Sequence, residues 1–196
     1  LHLSIRRQRQ MCIRDRETMA FTYDKAGNVL TRNILADVSG KGAYSFTWAA
    51  ANRMTSATGP GFSKAFGYDF DGKRVKEKAG GKETWYVFDG LSCVMELDKD
   101  RKPTATFVPG VSRTTLTYNE PLAEYYLYDG LGSVVQLTDD WGNLTQEYLY
   151  DPFGALQDQK FGAYDPHNRY RFVGLAHDDA LGLIYMLSLI HISEPT

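Results

Sequence analysis

The chain has 196 residues and a formal net charge of −2; 43% of the residues are apolar and 23% are charged, which is normal for a soluble, folded chain. No apolar run approaches the ~18–20 residues of a membrane span, and two cysteines cannot build a disulfide framework or a CxxC metal site. The mildly acidic central part lacks a basic stripe, which argues against a nucleic-acid binder. We therefore expect no membrane span, nucleic-acid partner, cofactor or metal.

The composition favours an all-β chain. The sequence contains 13 Tyr, 10 Phe and 18 Gly. Aromatic side chains favour pleated, half-buried surfaces, and glycine supplies the positive φ of tight turns. This combination is typical of short strands joined by tight turns.

The two ends do not fit the pattern that lies between them. Residues 1–20 are rich in arginine and have no apolar stretch of the kind found in a secretory signal. Residues 9–16 and 188–196 resemble translated sequencing-adapter sequence. We expect residues 1–20 and 187–196 to be artefactual tails of an incompletely assembled gene, so the arginines do not indicate a nucleic-acid-binding arm.

From residue 21 onwards the sequence repeats the pattern aromatic, any residue, aromatic, Asp. The five complete copies end at Asp24, Asp69, Asp89, Asp129 and Asp151. A variant over residues 46–49 keeps both rings and loses the Asp. The second rings are Tyr23, Trp48, Tyr68, Phe88, Tyr128 and Tyr150. They recur every 20 to 25 residues except for one gap of 40, so one unit is skipped near Phe107.

Each unit reads as one hairpin. Rings two residues apart share one face of a strand. Asp at the first turn position and Gly at the fourth suit a type I turn followed by a left-handed residue. The fourth-position residues are Gly27, Asn52, Gly72, Gly132 and Gly154, whereas Ser92 breaks the pattern. A second turn, clearest at residues 139–143, closes the unit.

Stacking such hairpins side by side buries the aromatic face jointly, because a lone hairpin is marginal in water. The predicted fold is all-β: an array of antiparallel β-hairpins that forms a curled ribbon, or partial β-shell. Its edges are expected to be exposed and prone to association.

These repeats resemble the YD repeats of the Rhs family. Residues 126–139 and 147–154 are similar to the Rhs repeat-associated core, as are residues 168–174 and 181–186. The resemblance covers about residues 21–186. It divides the chain into YD-repeat hairpins over residues 21–120 and a core segment over residues 121–186.

The resemblance implies a function in enclosure. In this family the repeats form a ribbon that spirals into a hollow shell; bacterial members enclose a C-terminal toxin or other cargo, and teneurins carry a similar YD shell. The expected partners are neighbouring YD repeats and a cargo domain absent from this chain, in a bacterial protein that is secreted or on the cell surface. Asp151–Gly154 has the DPxG spelling of the family's self-cleaving segment, but it looks like an ordinary turn. On this basis we expect no enzyme.

Other interpretations of the same residues stay open at this stage. The repeated Asp residues could be metal ligands or catalytic acids, but identical placement in successive turns favours hydrogen bonds to turn amides. The rings could form a sugar-stacking platform, so a cell-surface carbohydrate-binding module is the alternative function. His167 and His177 are expected to be solvated loop residues, and Cys93 a small buried hydrophobe. We therefore assign the repeated rings, Asp residues and turn glycines to the scaffold, with no catalytic, cofactor or metal site.

Overall fold

A computed structural model of the chain describes residues 19–34, 42–108, 112–116, 121–161 and 168–186. Apart from Met19 and Ala20, the two expected tails lie outside the described residues, as does His167. Fourteen described strands, the first beginning at Met19 and the last ending at Phe161, form one sheet in which they follow one another in chain order, each antiparallel to the next. The strands are β1 (Met19–Tyr23), β2 (Val29–Ile34), β3 (Ala43–Trp48), β4 (Met54–Gly59), β5 (Phe62–Tyr68), β6 (Arg74–Ala79), β7 (Lys82–Asp89), β8 (Ser92–Leu97), β9 (Pro103–Val108), β10 (Ser112–Leu116), β11 (Pro121–Tyr128), β12 (Val134–Thr138), β13 (Leu144–Tyr150) and β14 (Leu156–Phe161). The predicted all-β hairpin array is confirmed.

The gap of 40 residues in the repeat contains one hairpin with an altered first ring. Tyr86 of β7 pairs with Glu96 of β8, which pairs with Ala105 of β9. Ala105 therefore lies in the cross-strand position that a first ring occupies in the other hairpins, and Phe107, two residues later, lies in the position of a second ring. The aromatic pattern missed this unit because its first ring is an alanine.

The turns divide between the two long edges of the ribbon. At one edge, five-residue turns over residues 24–28, 49–53, 69–73, 129–133 and 151–155 join odd-numbered to even-numbered strands. At the other edge, turns over residues 60–61, 80–81, 98–102 and 139–143 join even-numbered to odd-numbered strands. Strand β10 pairs with β11 across residue 120, so the sheet continues through the point where the sequence predicts a division.

The chain then returns across the sheet. Residues 168–186, here called the crossing segment, contain a 3₁₀ turn (Phe172–Gly174) and the hairpin of β15 (Ala176–Asp178) with β16 (Leu183–Tyr185). The face of the sheet that contacts the crossing segment is here called the inner face. Among the described residues, no helix is long and apolar enough to cross a membrane.

The contacts of the crossing segment require a curled sheet. The Val134 amide of β12 donates to the Arg171 carbonyl at 3.0 Å, and the Arg32 guanidinium of β2 donates to the Leu181 carbonyl at 2.7 Å. Strands β2 and β12 lie ten positions apart, about 48 Å in a flat sheet. Residues 171–181 would span ~36 Å only if they were fully extended. Two turns shorten them, since the Arg171 amide donates to the Leu175 carbonyl at 3.1 Å and the Leu181 amide to the Asp178 carbonyl at 3.2 Å. Even with the Arg32 side chain, roughly 7 Å long, the segment therefore cannot reach across about 48 Å. The sheet must therefore bend around the crossing segment.

The inner face carries two apolar clusters. One joins strands β2 to β5 to Leu181 of the crossing segment and contains Val29, Phe46, Ala57, Phe66 and Leu181. The other lies under β11 to β13 and contains Tyr126, Val134, Leu137 and Tyr148. Burial of each large side chain contributes about 1.5–3 kcal/mol, so these rows stabilise the curved form of the sheet.

Candidate functional site

In the five-residue turns, backbone amides of the turn donate hydrogen bonds to the carboxylate of the repeated Asp. Asp129 Oδ1 accepts hydrogen bonds from the amides of Leu131 (2.9 Å) and Ser133 (2.8 Å). These bonds, the Ser133 amide first, lower the pKa of Asp129. Asp24 and Asp151 each accept two amides of their own turns in the same way, and Asp69 accepts one. A carboxylate oxygen with two amide donors is poorly placed to serve as a metal ligand.

The fourth turn position holds the left-handed residue that the geometry requires. Gly132 has φ 85°, and Asn52, which takes this position between β3 and β4, has φ 55°. The equivalent glycines of the other Asp turns are Gly27, Gly72 and Gly154. Asn is the L-residue best suited to this region, since its short side chain bonds locally.

Asp89 is the exception among the repeated Asp residues. It is the last residue of β7 and pairs directly with Ser92, so only Gly90 and Leu91 form the turn. Gly90 supplies the positive φ one residue after the Asp rather than three residues after it. The assignment of Asp89 to the repeated turn is therefore wrong, because this hairpin closes in two residues.

The same Asp turn also occurs at the opposite edge, where the sequence predicts a turn at residues 139–143 but not its type. Asp139 Oδ1 accepts the amides of Trp141 and Asn143 at 3.0 and 2.8 Å. Asp98 accepts two amides in the same manner, and Arg101 occupies the left-handed position with φ 62°. A search for Asp followed three residues later by Gly misses the Asp98 turn, because Arg101 stands where the other turns have glycine.

In five of the six pairs the first ring, rather than the second, is the buried one, whereas Phe21 is half-buried. The first rings at Phe46, Phe66, Tyr86, Tyr126 and Tyr148 are 3–9% exposed. Of the second rings, Tyr23 and Tyr128 are exposed and the other four are half-buried. The sequence pattern treats the two positions alike, since both point to the same face.

The second rings instead connect successive hairpins by hydrogen bonds. Trp48 Nε1 donates to the carbonyl of Val29 at 2.7 Å. The hydroxyl of Tyr68 donates to the carbonyl of Met54 at 2.9 Å, and that of Tyr150 to the carbonyl of Val134 at 2.7 Å. Val29, Met54 and Val134 each begin the strand that follows a five-residue turn. A polar-tipped ring thus fixes the turn of the preceding hairpin, which explains Tyr or Trp at most second positions.

An ion-pair cluster attaches the crossing segment to the middle of the sheet. Lys64 Nζ of β5 lies 2.7 Å from Asp178 and 3.0 Å from Glu77 of β6. Arg169 lies 3.2 Å from Glu77 and 3.5 Å from Glu96 of β8. Burial raises the pKa of Glu77, but the nearby cations outweigh it and bring this pKa to about 2. Glu77 is therefore negatively charged, and Lys64 and Arg169 balance its charge.

Other polar side chains are buried where the sequence gives no sign of burial. Arg32 stacks over the ring of Tyr44 at 4.2 Å, and Arg171 pairs with Asp179. Glu124, fully buried on β11, accepts hydrogen bonds from Thr145 (2.7 Å) and Gln146 (2.9 Å). The partners of Glu124 lie 21 and 22 residues away, so a local pattern cannot find them.

The remaining titratable side chains that the structure describes do not form a reactive cluster. His177 lies half-buried in β15, where its Nε2 accepts the Phe172 amide, so its expected place in a solvated loop is wrong. Burial, aided by Arg171, lowers its pKa to about 4. Cys93 is half-buried, and burial raises the pKa of its thiol. No group of three or more potential metal ligands occurs within the described ranges.

Comparisons with known proteins give relatives of much greater length. No family model matches the chain. It is 31% identical over 175 residues to the tRNA3(Ser)-specific nuclease WapA of Bacillus spizizenii, and 30% identical over 175 residues to the tRNA nuclease WapA of Bacillus subtilis. Each match covers 86% of this chain, which spans about 7% of the length of these curated relatives.

Two solved structures are also similar. The crystal structure of TcdB2-TccC3 matches 85% of this chain and 8% of its own, with 13% identity and a TM-score of 0.46. The structure of TcdB2-TccC3 without its hypervariable C-terminal region matches 89% of this chain and 15% of its own, with 12% identity and a TM-score of 0.34.

The relatives correct one expectation from the sequence. The expectation of no enzyme is wrong, because the curated relatives are named as nucleases. It rested on the absence of a catalytic motif in a chain that corresponds to about 7% of those proteins. The similarity to the WapA nucleases supports the broad resemblance to Rhs and YD-repeat proteins. The finer assignments, to a repeat-associated core and a teneurin-like shell, remain predictions.

Proposed function

We propose that this chain forms part of the wall of a YD-repeat shell that encloses a toxin or other cargo domain of the same protein. The observation that carries this proposal is the curvature: the crossing segment touches β2 and β12 at once, so the sheet bends around its inner face. A curved, antiparallel wall can exclude proteases and partners sterically without any chemistry of its own.

The names of the relatives support a proposal about the complete protein. They are named tRNA nucleases, so we propose that the complete protein is a nuclease-type toxin that is secreted or displayed at the cell surface. Its other partners in this proposal are the YD repeats that continue the wall. The match covers 86% of this chain but only about 7% of each relative. A short segment of a much longer wall of repeats would give such a match.

The positions of the rings favour enclosure over the alternative of a carbohydrate platform. Stacking on a sugar needs several exposed, coplanar rings on one face, whereas the first rings of five pairs are buried against the inner face. The most exposed rings, Phe70, Trp141 and Phe153, lie at turns: Phe70 and Phe153 at one edge, Trp141 at the other. They therefore lie at separate turns on both edges and do not form one continuous platform.

Protease protection of the cargo tests the proposal in the full-length protein. Ala105 is buried in the row beside Glu96, which Arg169 of the crossing segment approaches to 3.5 Å. Ala105→Phe restores the missing ring and displaces this contact. We expect the cargo of this variant to be digested at least ~10-fold faster, since a local cost of about 2–3 kcal/mol opens the wall more often.

Ala65→Phe is the matched control, because Ala65 lies exposed on the opposite face of β5. It should leave the digestion rate unchanged. Equal digestion of the cargo in the unaltered protein, in Ala105→Phe and in the cargo domain produced alone would contradict enclosure.

A further inference from the structure

A cavity of about 440 Å³ lies between the sheet and the crossing segment. Its sheet wall is mainly aromatic, with Phe88 and Tyr86 from β7, Phe107 from β9, and Tyr126 and Tyr128 from β11. Tyr170, Leu175 and Tyr185 of the crossing segment form much of the opposite wall. The volume falls within the range of sites that hold one small organic molecule.

The charged residues of this lining are all positive. The described lining contains Arg74 and Arg169 and no carboxylate. Arg169 is already paired with Glu77 and Glu96. Arg74 differs, because among the described residues no carboxylate lies within 4.0 Å of its guanidinium.

Arg74 is nonetheless held firmly. Its guanidinium lies 4.8 Å from the ring centre of Phe66 and 4.2 Å from that of Tyr185, and the residue is 7% exposed. The hydroxyl of Tyr185 accepts the Arg74 backbone amide at 2.7 Å. The charge of Arg74 helps to lower the pKa of Glu77, but the two groups are not in ion-pair contact. A buried cation fixed between two rings, with no described carboxylate in direct contact, is pre-organised to contact an anion that enters the cavity.

The tyrosine hydroxyls of the lining can supply further donors. A tyrosine hydroxyl is protonated at neutral pH because its ordinary pKa is about 10, and burial raises the pKa of Tyr128 and Tyr185 further. The hydroxyl of Tyr170 already hydrogen-bonds to Cys93. A protonated hydroxyl can donate to a carboxylate or a sulfonate, whereas a phenolate would repel it.

We propose that this cavity binds a small organic anion with an aromatic body, its ring against Phe88 and the edge-to-face pair of Phe107 and Tyr170, and its acidic group at Arg74. The inference does not depend on the shell function, because every residue that it uses belongs to this chain. The aromatic walls supply apolar burial, and the arginine selects anions over neutral molecules of the same shape.

The test compares two fluorescent probes with nearly the same ring system, using the full 196-residue chain at pH 7. The anionic probe is 8-anilinonaphthalene-1-sulfonate, and the neutral probe is N-phenyl-1-naphthylamine. We expect saturable binding of one anionic probe per chain, about tenfold tighter than the neutral probe, which is the scale of one charge-assisted contact. Binding of 3-phenylpropionate, but not of 3-phenylpropanol, should displace the anionic probe.

Variants assign the binding to this cavity. Arg74→Met should weaken the anionic probe about tenfold and leave the neutral probe unchanged. Arg101→Met is the control, because Arg101 lies at the opposite edge over Trp85, outside the lining. Val108→Trp, which fills the mouth of the cavity, should abolish binding of both probes.

A second readout does not depend on the folding of these variants. Cys93 lines the cavity, and Cys12→Ser leaves it as the single thiol of the chain. A saturating concentration of the anionic probe should slow alkylation of Cys93 by iodoacetamide at least ~5-fold, since a bound ligand covers the lining. Equal affinity for the two probes, or binding that neither protects Cys93 nor responds to Val108→Trp, would overturn the proposal.

Discussion

Replacement of Arg169 tests whether the ion-pair cluster holds the crossing segment on the sheet. Arg169 contacts Glu77 at 3.2 Å, Glu96 at 3.5 Å and the hydroxyl of Tyr86. Arg169→Met keeps most of the side-chain volume and removes the charge. It leaves two carboxylates without this cation, and Glu96 Oε1 is already buried without a hydrogen-bond partner.

The magnitude follows from burial and from the partners that remain. Loss of one partner of a buried ion pair costs about 3–5 kcal/mol. The side chains of Arg169, Glu77 and Glu96 are 20%, 10% and 17% exposed, and Glu77 keeps Lys64 at 3.0 Å. We therefore expect the lower end, a loss of about 3 kcal/mol in the free energy of unfolding.

A double-mutant cycle separates this charge effect from lost packing. Glu77→Gln alone should cost about 2 kcal/mol, because it weakens two ion pairs but leaves no unpaired carboxylate at that position. The double variant should cost about 1–2 kcal/mol less than the sum of the single costs, since each change relieves part of the other. Arg101→Met, at an exposed site over Trp85, should cost less than about 1 kcal/mol.

The assay is urea unfolding at pH 7, followed by tryptophan fluorescence, with limited proteolysis of the crossing segment as a second readout. Folding lowers the pKa of Glu77 from its ordinary value of 4.5 to about 2. The charged Glu77 therefore stabilises the fold fully above pH 4.5, and this stabilisation is lost as the pH falls towards 2. In Arg169→Met the pKa of Glu77 should lie closer to its ordinary value, so this loss of stability should be smaller and should be complete at a higher pH. Additive costs, with an unchanged acid limb and unchanged proteolysis, would refute the argument.

Three further predictions test the turns, the ring hydrogen bonds and the buried histidine. Gly154→Ala should cost about 3 kcal/mol by thermal unfolding, because a Cβ there overlaps a ring of the crossing segment; Gly132→Ala, with the same positive φ and open space, should cost only about 1 kcal/mol. Tyr150→Phe should cost about 1 kcal/mol in urea by removing the bond to the Val134 carbonyl, and no loss of stability would count against the hydrogen bond. The pKa of His177 falls from 6.5 to about 4 on folding, so the folded state is fully stable with respect to this group above pH 6.5 and loses stability as the pH falls towards 4. His177→Gln should reduce the stability lost between these pH values by about 2 kcal/mol. An unchanged pH profile would contradict this prediction.

The local features of the hairpins could be predicted from the sequence because their causes lie within a few residues. The carboxylate of Asp129 bonds amides two and four residues away, and Gly132 supplies the left-handed residue of the same turn. Spacing alone therefore located most turns. It failed at Asp89, where the hairpin closes in two residues, and at Asp98, where Arg101 replaces the glycine.

The difference between the two rings of a pair could not be predicted, since both point to the same face of a strand. Burial of the first ring depends on how neighbouring hairpins and the crossing segment pack over it. The role of the second ring depends on a carbonyl 14 to 19 residues earlier, as for Tyr150 and Trp48. Ala105 shows the same limit, because only strand register reveals it as a substituted first ring.

The sequence by itself therefore determined the all-β class, the order of the hairpins and most of their turns, because hydrogen bonds and alternation over a few residues specify them. Only the tertiary structure decided the curvature, the ion-pair cluster and the cavity. These depend on contacts between residues up to 149 positions apart, such as that of Arg32 with Leu181. A periodic pattern carries no information about which distant segment returns to cover the sheet. Here the crossing segment covers a curved sheet and buries Arg32 and Arg74 of its strands.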